Sequence, residues 1–265
     1  MVLVFYAQVA PAWWPWQAVS LSNERIARVE AEEPGFFVDN GAFKGYGMEP
    51  GLWYSRLIAF VDRVLRRYPS AGVLVVLPDV LDDGEATLRL ARHPGTRRLC
   101  AVDPRVRCAA VAHAVRGDVD GRRRVAGELA SMDHVSALAA PLKANCRGPG
   151  ARRKPDSLPL RRCQLEVART VCTVAAMHGL PCHLLAPRLD ATLAELARLP
   201  GVESFDSAAW IRVRRGGRGF SPAYGFTADA KTGRMVEKLR RLLAYGVPLR
   251  LPPGLPAYIR LAYSS

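Results

Sequence analysis

The sequence predicts an α/β fold, a TIM-type (β/α)8 barrel with one strand irregular, on three observations. Short, wholly apolar runs alternate with amphipathic helix-length segments, as in parallel sheets buried on both faces. The length, 265 residues, suits one such barrel. Aspartates follow several of the apolar runs, at the strand ends where barrel enzymes keep their chemistry.

Residues 2–6 are a compact run of β-preferring side chains. A proline-broken loop follows, Pro11-Ala-Trp-Trp-Pro-Trp16. Its three tryptophans suit either a stacking platform for bases or a plug for one end of the core. Residues 23–31 read as a short helix, and residues 36–39 as the second strand, delivering Asp39 into a glycine-rich turn. Residues 53–68 form the clearest helix. Trp53, Leu57, Val61, Val64, Leu65 and Tyr68 share one face, and Arg63, Arg66 and Arg67 form a solvated one. The run 73–77, bounded by Pro78, delivers Asp79, and Asp82 or Asp83 caps a helix running to about Arg92.

Residues 93–105 fit no single pattern. Residues 108–112 form a buried strand with His113 at its end, followed by a basic helix over 122–132 and a strand over 135–138. Residues 146–155 are rich in Gly, Pro and Arg without an apolar period, which marks an exposed basic loop carrying Arg147, Arg152, Arg153 and Lys154. A helix over 162–178 stops at Gly179 and Pro181. A strand over 182–185, a helix over 189–199 and a strand over 202–205 then lead to Asp206. That makes seven strands, and residues 98–102 or 258–262 supply the eighth. Beyond Asp206 come Arg212, Arg214, Arg215 and Arg218, then a basic helix over 231–245. The expected organisation is a catalytic barrel over 1–218 and a basic extension, 219–265, packed on the same domain.

The formal charge of +14 points to a polyanionic partner, nucleic acid before a membrane surface, or to a solvated basic surface. No apolar run reaches the ~20 residues that span a bilayer, and no basic-then-apolar leader opens the chain, so a cytoplasmic protein is expected. The six cysteines include no Cys-x-x-Cys pair and read as reduced, mainly buried thiols. The five histidines form no spaced ligand set, His183 reads as structural, and neither metal nor cofactor is expected.

The strand ends collect Asp39, Asp79, His113 and Asp206, a set suited to covalent or acid–base catalysis. Several stretches carry a resemblance in order: Val38-Asp-Asn-Gly-Ala-Phe-Lys44, Leu77-Pro-Asp-Val80, Val111-Ala-His-Ala114 with Arg122-Arg-Arg124, His183-Leu-Leu-Ala-Pro187, and residues 202–212. Together they resemble the tRNA-guanine transglycosylase superfamily, including its 7-deazaguanine DNA-modifying relatives, over residues 2–218. The resemblance implies a barrel that exchanges guanine for a 7-deazaguanine base. Asp206 would be the nucleophile at C1′ and Asp39 the general acid and base. Phe43 and Leu185 would sandwich the base, with Asn40, Asp79 and His113 along its polar edge. The basic residues of the 146–155 loop and the arginines from Arg212 to Arg218 would hold phosphates. Its implied partners are DNA or tRNA and a free 7-deazaguanine, with pairing as a homodimer or with an accessory protein. The departures are Ala42 for a glycine, His113 for a glutamine, Ala137-Leu138 for a glycine pair, and no cysteine beyond Cys182, so no zinc is expected. Two rivals stand beside this reading: a nucleic-acid-binding barrel without base exchange, and a small-molecule, glycosidase-like barrel enzyme using the same carboxylates.

Overall fold

The computed structural model describes residues 2–22, 24–26, 28–42, 48–142, 146, 158–207, 213–215, 218–220 and 228–252. Eight strands close into a barrel in sequence order: β1 (Val4–Gln8), β2 (Trp16–Ser20), β3 (Gly35–Asp39), β4 (Gly72–Val76), β5 (Val106–Val111), β6 (Ala137–Pro141), β7 (Cys182–Leu185) and β8 (Val202–Ser207). Every neighbouring pair is parallel, and Tyr6 on β1 lies opposite Asp206 on β8 where the ring closes. The expected irregularity falls between β7 and β8, whose register shifts between Cys182 and His183.

Among the described residues, six helices lie between β3 and β8: α1 (Pro50–Arg67), α2 (Gly84–Ala91), α3 (Pro94–Cys100), α4 (Val119–Ala130), α5 (Leu158–Met177) and α6 (Ala191–Leu196). A further helix, α7 (Ala228–Ala244), follows a two-stranded antiparallel ribbon, β9 (Val213–Arg215) and β10 (Arg218–Phe220). Helix α1 shows why these segments fold where they do. Its buried stripe, including Trp53, Leu57, Val61 and Val64, repeats at three- and four-residue spacing. The Glu49 carboxylate accepts from the N–H groups of Gly51 and Leu52, Pro50 suits the first turn, and Arg66 and Arg67 complement the C-terminal dipole.

Strand alternation sends one set of side chains inward and the other toward the helices. Phe37, Leu74, Val76, Ala109, Val111, Ala137 and Ala139 pack inside the barrel, while Phe36, Val38, Val73, Val75, Cys108 and Ala110 join the larger core beneath the helices.

Three expectations need correction, and the alternative left open for the tryptophans is decided. The eighth strand is β2, whereas residues 98–100 end helix α3; residues 258–262 lie outside the described residues. No helix forms among the described residues of the 23–31 segment. The tryptophans belong to the core: Trp14 is fully buried with its Nε1 donating to the Phe5 carbonyl at 3.0 Å, and Trp16 is a strand residue. Together with α7, they cover the β1–β3 side, where no helix occurs between the described strands. Trp13 Nε1 reaches Thr232 Oγ1 at 3.1 Å, and Met235, Leu239 and Leu242 bury into the main core. Finally, four of the six cysteines are bonded, as Cys100–Cys108 and Cys146–Cys163, while Cys172 and Cys182 are free and buried. Spacing along the chain did not betray these pairs because each joins residues from different elements or loops.

Candidate active site at the C-terminal mouth

Three successive loops bring three polar side chains together on one part of the rim. Asp79, just past β4, is 6% exposed and takes hydrogen bonds from both sides. Asn40 Nδ2 donates to its Oδ1 at 2.5 Å, and His113 Nε2 lies 2.6 Å from its Oδ2. The Asp82 N–H points at His113 Nδ1 at 3.4 Å, making that nitrogen the acceptor and placing the ring proton on Nε2, toward Asp79. Asn40 is itself fixed, since its Nδ2 also reaches the Leu77 carbonyl and its backbone oxygen accepts from Trp53 Nε1 at 2.9 Å. This buried trio is satisfied internally, so it sets the shape and polarity of the rim. Beside it lies a cavity of about 460 Å³ lined chiefly by apolar side chains, with Asp79, Trp53, Met48, Leu90 and His93 among its walls.

Asp39 ends β3 with the inward parity of Phe37, and its Oδ1 accepts from the Gly41 N–H at 2.8 Å. The turn this bond closes requires φ +76° at Gly41, where a side chain is strained.

Asp206 is held differently. Its Oδ1 accepts from the Ala186 N–H at 3.0 Å and lies 3.3 Å from His183 Nε2. Among the described residues its Oδ2 has no hydrogen-bond partner, and the side chain is 20% exposed. His183 is buried inside the barrel, stacked on Phe37 at 4.4 Å, with Nδ1 held 2.8 Å from Ser204 Oγ. The sequence reading missed this link. Its only sequence signal was the shared inward position of His183 and Asp206 on neighbouring strands, and the register shift between those strands hides it.

Backbone strain gathers on this rim. Val9 after β1, Asp82 in the loop after β4 and Ala186 after β7 all have positive φ, at 57°, 58° and 49°. Such conformations cost about 1–3 kcal/mol each and persist where surrounding structure enforces them. Two of the three supply the N–H groups that orient His113 and Asp206.

Behind the rim, Arg122 on the first turn of α4 is 1% exposed, and its Nε and Nη1 have no hydrogen-bond partner among the described residues. Burial lowers its pKa, against the opposing charges of Glu166, Asp118 and Asp82. Leu185 packs against the barrel interior. Phe43, Arg147, Arg152, Arg153, Lys154 and Arg212 lie outside the described residues, and Arg214, Arg215 and Arg218 fall on the β9–β10 ribbon. Among the described residues, no group of three or more His, Cys, Asp or Glu side chains could hold a metal ion. Nor is any helix there long and apolar enough to cross a membrane.

No family model matches the chain, and no curated protein matches it. Solved structures that are similar include an HpcH/HpaI aldolase/citrate lyase family protein from Burkholderia cenocepacia J2315, with a TM-score of 0.42 and 11% identity over 78% of this chain and 89% of that one. A likeness this distant carries no argument about chemistry. These findings correct the expected membership of the tRNA-guanine transglycosylase superfamily. The similar barrel named above belongs to a different superfamily, and no family model or curated protein of the transglycosylase kind matches the chain. Guanine exchange, 7-deazaguanine as co-substrate and the pentosyltransferase activity are withdrawn with it.

Proposed function

We propose that this protein is an enzyme acting on a small polar molecule at the C-terminal mouth, by a glycosidase-like displacement in which Asp206 is the nucleophile. The observation that carries the reading is the state of Asp206: one oxygen is fixed by a strained backbone N–H and a buried histidine, while the other has no partner among the described residues. Fixing one oxygen aims the other without a rotameric search.

In the first half-reaction Asp206 Oδ2 attacks the acetal carbon, and the departing oxygen takes a proton from Asp39. A water molecule then attacks the same carbon, giving its proton to Asp39 and releasing Asp206. β8 and β3 are separated round the ring by β1 and β2, so the two carboxylates approach the mouth from different sides, as this division of labour needs. The cavity beside Asp79 offers an apolar surface for the leaving group. No cofactor enters the scheme. A cytoplasmic setting belongs to this proposal, although the two disulfides weigh against a strongly reducing compartment.

The test is hydrolysis of a panel of p-nitrophenyl glycosides by the wild type and by Asp206→Asn. Turnover by the wild type, lost on the order of a thousandfold or more in the variant with unchanged melting, is the expected result. A panel on which both proteins are equally silent would sink the reading.

A second reading rests on the charge of +14. A basic surface of this size suits a nucleic-acid partner, held through phosphates without base exchange. Retention on immobilised duplex DNA that collapses between low and moderate salt would support it, and salt-insensitive or absent retention would remove it.

A further inference from the structure

The opposite end of the barrel is also open. On the inner face, Gly35 sits below Phe37, Gly72 below Leu74 and Ala137 below Ala139. Bulky branched side chains ordinarily fill these layers. Here a Cβ built on Gly72 would meet no atom within 4 Å, and the N-terminal end holds a cavity of about 380 Å³.

The cavity wall is basic and aromatic. Tyr6, Trp16, Arg107 and Arg250 line it, with Glu33 and Glu203. A Cβ on Gly35 would come within 2.8 Å of Trp16 Cδ1, so the glycine is what lets that ring lie against β3. The Arg250 guanidinium stands 5.7 Å over the Trp16 ring and forms no ion pair among the described residues. Arg107 has only a long contact, 3.7 Å, with Glu203. The Tyr6 hydroxyl has no hydrogen-bond partner among the described residues. Burial pushes Tyr6 up to about 12 against the lowering influence of Arg107 and Arg250, so both guanidinium groups act on this phenol.

We propose that the N-terminal cavity binds a small oxyanion, a carboxylate or a phosphate, between the guanidinium groups of Arg107 and Arg250 and the Tyr6 hydroxyl. Each guanidinium offers a planar fork of N–H donors that matches two oxygens of such a group, and the phenol donates a further hydrogen bond. Glu33 and Glu203 oppose diffuse accumulation of anions, so the site favours a ligand that engages the arginines directly. Arg105 at the cavity edge contributes less, because its guanidinium already forks onto the Asp103 carboxylate. Arg107 and Arg250 lie at the opposite end of the barrel from the mouth, while the cavity reaches up to His183 and Ser204 behind Asp206.

Titration calorimetry with inorganic phosphate, and separately with succinate, tests the site. The expected result is saturable binding of at least one probe, weakened about tenfold or more by Arg250→Gln. Gly72→Leu, which places a side chain in open space within the cavity, should abolish binding without lowering the melting temperature. Phosphate alone binding would mark a phosphate-bearing ligand, and succinate alone a carboxylate. Absence of saturable heat with both probes would overturn the proposal. So would unchanged binding in Arg250→Gln, an exposed position that keeps the test sound if Gly72→Leu does not fold.

Discussion

Asp206 and Asp79 are both rim carboxylates, yet their surroundings differ. Asp79 has a donor on each oxygen and almost no exposure, whereas Asp206 keeps one oxygen for the mouth. Substituting His183 therefore probes aim. His183→Phe keeps a ring stacked on Phe37 but removes the donor to Asp206. On a substrate that the wild type hydrolyses, kcat should fall on the order of tenfold to a hundredfold while KM moves little, consistent with loss of one positioning hydrogen bond. A KM-only effect would place His183 in substrate binding instead. Tyr6 supports a pH prediction. Its folded-state pKa is raised from 10.0 to about 12 by burial, so the neutral phenol is favoured in the folded chain. That contribution is complete below pH 10 and is lost as the pH rises through about 12. Tyr54, also raised by burial, acts in the same direction. Melting temperatures should drop between pH 10 and pH 12, and the drop should be shallower in Tyr6→Phe; equal slopes would disprove the assignment to Tyr6.

Helix α2 enters the barrel wall at Gly84, where any side chain is in the way. A Cβ there would lie 2.6 Å from Val125 Cγ2 and 2.7 Å from the His113 carbonyl oxygen. Val125 belongs to α4 and His113 to the rim, so Gly84→Ala must push α2 away from both. Overpacking of this kind costs about 1–3 kcal/mol. The expected outcome is a lower melting temperature together with reduced turnover, measured on the same preparation. The order of strands and most helices were legible in the sequence because continuous apolar runs such as Val73-Leu-Val-Val76 and the stripe of α1 have unmistakable periods. β2 was not. It follows Pro15 directly, carries Gln17 and Ser20, and is joined to its neighbours without a described helix, so a search for strand–helix alternation passes over it. The strand-end positions of Asp39, Asp79, His113 and Asp206 were legible for the same reason that their strands were. The bonds among them were not, since Asn40 to Asp79 spans 39 residues and His183 to Asp206 crosses a shifted register.

At the scale of the whole molecule, two covalent links tie helical segments to the rest of the chain. Cys100–Cys108 fastens the end of α3 to β5, and Cys146–Cys163 fastens residue 146 to α5. Each closes a loop of modest length, so reduction should lower stability by about 2–4 kcal/mol in total or per bond, depending on residual structure in the unfolded chain. Paired melts with and without a reductant, read beside a thiol count, check this; identical melts with four newly reactive thiols would refute it.

The covering of β1 by α7 has a consequence for how the chain is made. Leu3 pairs with Leu249, β1 pairs with β8, and Trp13 is anchored to Thr232, so apart from β2 the first strand finds its neighbours in segments synthesised after the rest of the barrel. A nascent chain leaving the ribosome must carry Phe5 without its stacking partner Phe205 until β8 emerges. Closure of the ring is therefore a late event in biosynthesis, and the early strands are the stretch for which a chaperone would have the longest time to compete.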